Sequence, residues 1–222
     1  MTAIKNKSIS KLIMGTLVLI LFSLYSFSRV LQNGSGTGYS EESGETVSKS
    51  IGSIETLIIR GAGYFLAGNA CIQSFLNQVE LQDLSGVDSQ SMEKGVSCGL
   101  YNISLAVATY SQLIKAAEAT PYNPVVIEQL KRFDYDSFQE EMGLNGIVFA
   151  RVREYLGNGD ITGSFKYTYQ GMIELRLLLV SVYNEISAGR WPDLTVIRKL
   201  NEKCAEISLF GSYAARVFDA VK

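Results

Sequence analysis

The sequence predicts an all-α fold: an up-and-down antiparallel bundle of four to five helices behind an N-terminal membrane or signal helix. Three observations predict it. Apolar residues recur in steps of three and four along five long segments, the spacing of one helix face. Short turns rich in Gly, Pro, Asn and Asp separate those segments, which makes consecutive helices antiparallel neighbours. An apolar run, Leu12–Phe27, follows Lys5, Lys7 and Lys11, and none of the three prolines in the chain interrupts a strongly periodic segment.

The N-terminal segment, residues 1–31, has the layout of a signal anchor or signal peptide, a basic start followed by an apolar core. The lysines favour the cytoplasmic side, so the chain after Phe27 is expected to face outward. Leu12–Phe27 is shorter than the roughly 20 residues that span a bilayer, and Val30 and Leu31 beyond Arg29 would extend it. Ser26-Phe27-Ser28 offers a small-x-small cleavage pattern. The expected location is therefore membrane-anchored, facing the periplasm or the extracellular side, with secretion as the alternative. A leader cut before the apolar helix, after Gly15 for instance, would resemble a type IV pilin. The fifth position after that cut is Ile20, where that family carries Glu.

Residues 32–44 read as a flexible Gly/Ser linker, too poor in apolar side chains to offset the entropy of ordering. The bundle domain then occupies residues 45–222. Its first helix is expected over Glu45–Leu84, with Ile51, Ile54, Ile58, Phe65, Ile72, Phe75 and Val79 along one stripe. Gly61-Ala62-Gly63 and Gly68 fall inside it. Each glycine costs up to about 1 kcal/mol against alanine in a helix interior, so their clustering calls for close approach of a second helix, or of a ligand, to bare backbone.

Ser85-Gly86 makes a turn, and a second helix runs over Asp88–Ala119 with Val96, Leu100, Ile103, Val107, Tyr110 and Ile114 in phase. Thr120-Pro121-Tyr122-Asn123-Pro124 ends it, with Asn123 as the next N-cap and Pro124 in the first helical turn. The third segment, Val125–Leu156, begins and ends with a stripe but loses phase from Phe133 to Gly146, which predicts a kink or short break. Gly157-Asn158-Gly159-Asp160 is a turn. The fourth helix, Ser164–Ser187, is apolar nearly all round and is expected to be surrounded by other elements. Trp191-Pro192-Asp193 starts the fifth, whose stripe includes Ile197, Leu200, Cys204, Ile207, Gly211, Ala214 and Phe218.

Composition excludes several classes of function. The chain holds no histidine, which removes histidine-based acid–base chemistry, the Ser-His-Asp and Cys-His arrangements, and the usual zinc and haem ligand sets. No nucleophile–base pair, cofactor loop or metal set is visible, so neither catalysis nor a cofactor is expected. Without residues 1–28 the chain carries 17 basic against 22 acidic residues, which is no footprint for nucleic acid.

Three cysteines in an exported domain suggest one bridge and one free thiol. Cys71 and Cys98 lie equally far from the turn at Leu84-Ser85, so an antiparallel hairpin places them at one height, and they are expected to pair. Cys204 sits in the stripe of the fifth helix as a buried hydrophobe.

Two arginines stand out. The neighbours of Arg176 three and four positions away are Met172, Ile173, Leu179 and Val180, and those of Arg60 are Thr56, Leu57, Gly63 and Tyr64. A guanidinium buried there must be paired. Arg60, Arg176 and Tyr183 are therefore the candidate ligand-binding residues, holding a small anion bidentately. The alternatives are a structural ion pair with Glu174 or Glu185, or a side chain reaching to solvent. Asp134, Asp136, Glu140 and Glu141 make an acidic patch without the calcium-loop pattern. Phe133, Tyr135 and Phe138 beside it make a candidate surface for a partner protein.

These readings describe an exported, membrane-tethered binding or sensing module for a small anionic ligand or a partner protein. The alternative is a structural subunit of an envelope complex or filament held by its N-terminal helix, with homo-oligomerisation open to either.

Overall fold

The computed structural model describes the backbone of residues 41–81 and 89–221, and the side chains of residues 54–79 and 90–221. Leu12–Phe27, most of the linker, Ser85-Gly86 and Asp88 lie outside the described residues. Within them the fold is all-helical, with seven helices and no strand: α1 Glu41–Leu81, α2 Ser89–Ala119, α3 Pro124–Arg132, α4 Tyr135–Met142, α5 Gly146–Leu156, α6 Ile161–Ser187 and α7 Leu194–Ala220. No described helix is long and apolar enough to cross a membrane.

The break expected in the third segment is double, dividing it into three helices. Each begins where an Asn or Asp side chain takes over a backbone N–H that the helix leaves unpaired. Asn123 accepts from Val125 at 2.9 Å, Asp134 from Ser137 at 3.1 Å, and Asn145 from Ile147 at 3.1 Å. Gly143 ends α4 at φ +57, a left-handed conformation that glycine adopts without a Cβ penalty. Asp160 and Asp193 cap α6 and α7 in the same way, accepting from Gly163 and Thr195 at 2.7 Å each.

Contacts between the long helices run in opposite directions along each pair. Cys71 is disulfide-bonded to Cys98, with Cα atoms 5.8 Å apart. Across the same seam Gly61 faces Tyr110, Gly68 faces Ile103, Gly99 faces Ile72 and Gly95 faces Phe75. Lys166 of α6 reaches Glu118 of α2 at 2.7 Å, while Ser187 reaches Glu93 at 3.4 Å. Lys203 of α7 pairs with Glu174 of α6 at 2.9 Å. The α1–α7 seam is sparser, with two long hydrogen bonds, Asn69 to Ser208 at 3.4 Å and Gln73 to Asn201 at 3.5 Å.

The core of this bundle is in two parts. One is built by α1, α2, α6 and α7 around Ile72, Phe75, Ile103, Met172, Leu179 and Leu200. In the other, the short helices add Leu130, Tyr135, Phe149 and Val152 to Ile54, Phe210 and Phe218. Cys204 is free and buried, as its position in the stripe implied. The expectation that α6 is surrounded needs correction: Leu177 is 59% exposed and Val180 38%, because α2 and α7 cover only part of its girth.

Glycine placement in α1 gives a test with opposite signs. A Cβ on Gly61 would stand 2.7 Å from the Tyr110 ring, whereas one on Gly63 would meet nothing within 4 Å. Gly61→Ala is expected to lose about 1–3 kcal/mol to overpacking, and Gly63→Ala to gain up to about 1 kcal/mol of helix propensity, both read from urea unfolding. Replacing Cys71 and Cys98 together by Ala is expected to cost about 3.5 kcal/mol, for a loop closed at a sequence separation of 27.

Candidate functional site

The structure does not bring the two arginines into a buried site. Arg60 is exposed, and its neighbours Thr56 and Gly63 are exposed with it. Arg176 is half-buried beside the exposed Leu177 and Val180, and Tyr183 is half-buried. The apolar neighbours of Arg176 signalled burial, but Val180 of that group and the adjacent Leu177 are exposed, and Arg176 itself is only half-buried. Glu174 and Glu185 are engaged elsewhere, with Lys203 and with Arg190 at 2.6 Å.

Phe133, Tyr135 and Phe138 are also not a free surface. Their rings pack on one another and on Phe149, with centroids 5.0 Å apart for Phe133–Tyr135 and 6.1 Å for Phe138–Phe149. Phe149 in turn meets Tyr213 of α7, whose hydroxyl accepts from the Asn145 backbone at 3.1 Å. The cluster fixes the short helices to the bundle. Of the acidic patch, Asp134 is the α4 cap, and hydrogen bonds from the backbone and hydroxyl of Ser137 hold its carboxyl below the ordinary range. Asp136 pairs with Arg153. No group of side chains suited to a metal ion occurs among the described residues.

A different feature occupies the middle of the bundle. A pocket of about 110 Å³, partly open to solvent, lies where the two parts of the core meet, walled by Ile58, Phe65, Phe210 and Phe218. Its existence follows from the small residues that α1 and α7 present there, Ala62, Gly211, Ala214 and Ala215. A Cβ on Gly211 would find nothing within 4 Å. No charged side chain lines the cavity; neither Arg60, Arg176 nor Tyr183 reaches it.

Four hydroxyl-bearing residues line this space: Tyr110, Ser164, Thr168 and Ser208. Ser164 Oγ donates to the Ile161 carbonyl at 2.6 Å, and Thr168 Oγ1 to the Ser164 carbonyl at 3.1 Å. Ser208 Oγ accepts from Asn69. Tyr110 is half-buried with its ring against Gly61, and burial pushes its phenol up to about 12. Sequence reasoning missed the cavity because a stripe position occupied by glycine or alanine reads as ordinary core. The signal was the coincidence of small residues in two helices, Ala62 beside Gly61 and Gly211 followed by Ala214.

Outside the cavity, α6 and α7 share a polar network. Lys203 lies between Glu174 and Glu206, at 2.9 and 2.7 Å, and the Tyr167 hydroxyl donates to Glu206. Burial works against the charge on Glu206, yet the hydrogen bonds from Lys203 and Tyr167 outweigh it and hold the carboxyl below its ordinary value. Burial also pushes the Cys204 thiol up to about 12, so it stays protonated and unreactive at neutral pH. Comparison with protein families, with curated proteins and with solved structures finds no match to this chain.

The depressed Glu206 carboxyl sets a pH dependence. Its contribution to stability is full above the unfolded value near 4.5 and is lost as pH falls through the lower folded value. Because the Glu206 side chain is 33% exposed, the contribution is expected to be below about 1 kcal/mol. Urea titrations of the parent chain and Glu206→Gln should differ at pH 7 and converge in acid below that folded value.

Proposed function

We propose that this chain is an exported binding module, held at a membrane by its N-terminal apolar run, whose up-and-down bundle takes a small uncharged molecule into its central cavity. The N-terminal lysines ahead of Leu12–Phe27 support export. So does the Cys71–Cys98 bridge, since disulfides persist in oxidising compartments. The cavity carries the binding reading. Its lining is apolar and uncharged, so an anion would enter without a countercharge and lose its hydration. A neutral apolar body loses nothing of that kind and gains contact with walls that otherwise face empty space.

Size narrows the ligand further. Drug-sized ligands fill roughly 300–1,000 Å³, whereas an apolar cavity of about 150 Å³ accepts benzene. A space of about 110 Å³ suits a compact molecule, or the tip of a larger one entering through the sparse α1–α7 seam.

Benzene provides the test with the full chain in membrane mimetic. Saturating benzene is expected to raise the Tm, and Gly211→Leu, whose side chain grows into the open space, is expected to fold and to abolish the rise. No rise in the parent chain, or a rise that survives Gly211→Leu, would overturn the assignment.

A further inference from the structure

We infer that a second copy of this chain covers the outer face of α6, the two α6 helices running parallel and in register. Towards the core α6 buries Met172, Leu175, Leu179 and Val182. On its other side the same helix carries a second series, Gln170, Ile173, Leu177, Val180 and Asn184, again in steps of three and four. Leu177 is 59% exposed and Val180 38%, because α2 and α7 leave that side uncovered. The alternation is the seam of a two-helix coil, with three apolar layers and an amide at either end. It carries no charge. The next outward position before Gln170, Lys166, is already paired with Glu118 at 2.7 Å.

The chemistry of the seam selects a copy of itself in one orientation. In a parallel pair Ile173, Leu177 and Val180 each meet their own kind, and Asn184 meets the partner's Asn184, a polar layer that fixes register. Beside the seam, Arg176 flanks the partner's Ser181 and Tyr169 flanks the partner's Glu174, so no like charges meet. An antiparallel pair about Leu177 would set Arg176 beside the partner's Arg176, a repulsion that selects against it. The tether favours the same orientation, and this part rests on the N-terminal run holding the chain at a membrane. α1 and α6 run the same way, both antiparallel to α2, so residues 1–40 join each copy at the end from which α6 starts. Two copies held in one bilayer therefore present parallel α6 helices. One helix face is smaller than the roughly 800 Å² per partner of a standard interface, and a shared bilayer supplies the effective concentration such a pair needs.

The test is oxidative crosslinking of the full chain in phosphatidylcholine vesicles, using Gln170→Cys, Asn184→Cys and, at an exposed position of α2, Gln112→Cys. Cys204 is buried and Cys71 is bridged to Cys98, so the introduced thiol is the accessible one. Gln170→Cys and Asn184→Cys are each expected to give a covalent dimer, and Gln112→Cys none. Adding Leu177→Glu, a change outside the core, is expected to cut both crosslinks at least about tenfold by placing two carboxylates in the central layer, with the Tm unchanged. Dimer formed only when Gln170→Cys and Asn184→Cys chains are mixed, at positions about 21 Å apart along the helix, would overturn the parallel arrangement. Equal crosslinking by Gln112→Cys, or crosslinks at the seam that survive Leu177→Glu, would overturn the pairing. Flotation with the vesicles reads the tether separately. A chain that floats without crosslinking at either seam position would overturn the pairing alone, and one that crosslinks there without floating would overturn the tether alone.

Discussion

Everything in this domain hangs on the contact between α1 and α2. Gly61 and Gly68 on one helix and Gly95 and Gly99 on the other each leave room for a large side chain opposite, so the two backbones approach closely. Four helical glycines cost up to about 1 kcal/mol each in propensity. The side chains they admit include Ile72, Phe75 and Ile103, all at 0% exposure, and full burial of such a residue stabilises by about 1.5–3 kcal/mol. Burial wins. The bridge between Cys71 and Cys98 lies within this seam and fixes its register.

The opposite seam has the reverse character. Where α1 meets α7, Ala62, Gly211, Ala214 and Ala215 share one pocket, and a Cβ on Gly211 would find nothing within 4 Å. A bundle with this much large aliphatic and aromatic core elsewhere has no packing reason to leave it unfilled. The same small side chains thus serve two ends within one helix: Gly61 admits a ring, and Ala62, next to it, leaves a void.

Much of the fold was legible because local rules and tertiary packing agree. The apolar stripes placed the long helices, Asn123-Pro124 marked the start of α3, and the symmetric spacing of Cys71 and Cys98 about their turn identified the bridge. The three-way division of residues 124–156 was harder to read. The phase slip was visible, but Asp134 and Asn145 signalled helix starts only in retrospect, since both residues also occur on helix surfaces. The site was the least legible part. Arg60 and Arg176 drew attention through apolar sequence neighbours, yet exposure is decided by which helices pack alongside, and no helix covers that side of either one fully. Phe133, Tyr135 and Phe138 looked like a surface beside acidic residues and are instead the packing of the short helices against Phe149.

The position of the Cys71–Cys98 bridge has a consequence for how the chain would behave once cut. The bridge joins Cys71 and Cys98 within the paired helices, which residues 82–88 also connect in sequence. Two covalent routes therefore join α1 to α2, and a protease that severs the connection closes only one of them. The N-terminal piece would remain fastened to the bundle in register, and its release would require a reductant as well as a protease. Under oxidising conditions, where the bridge persists, a nick in that connection would leave the two helices joined.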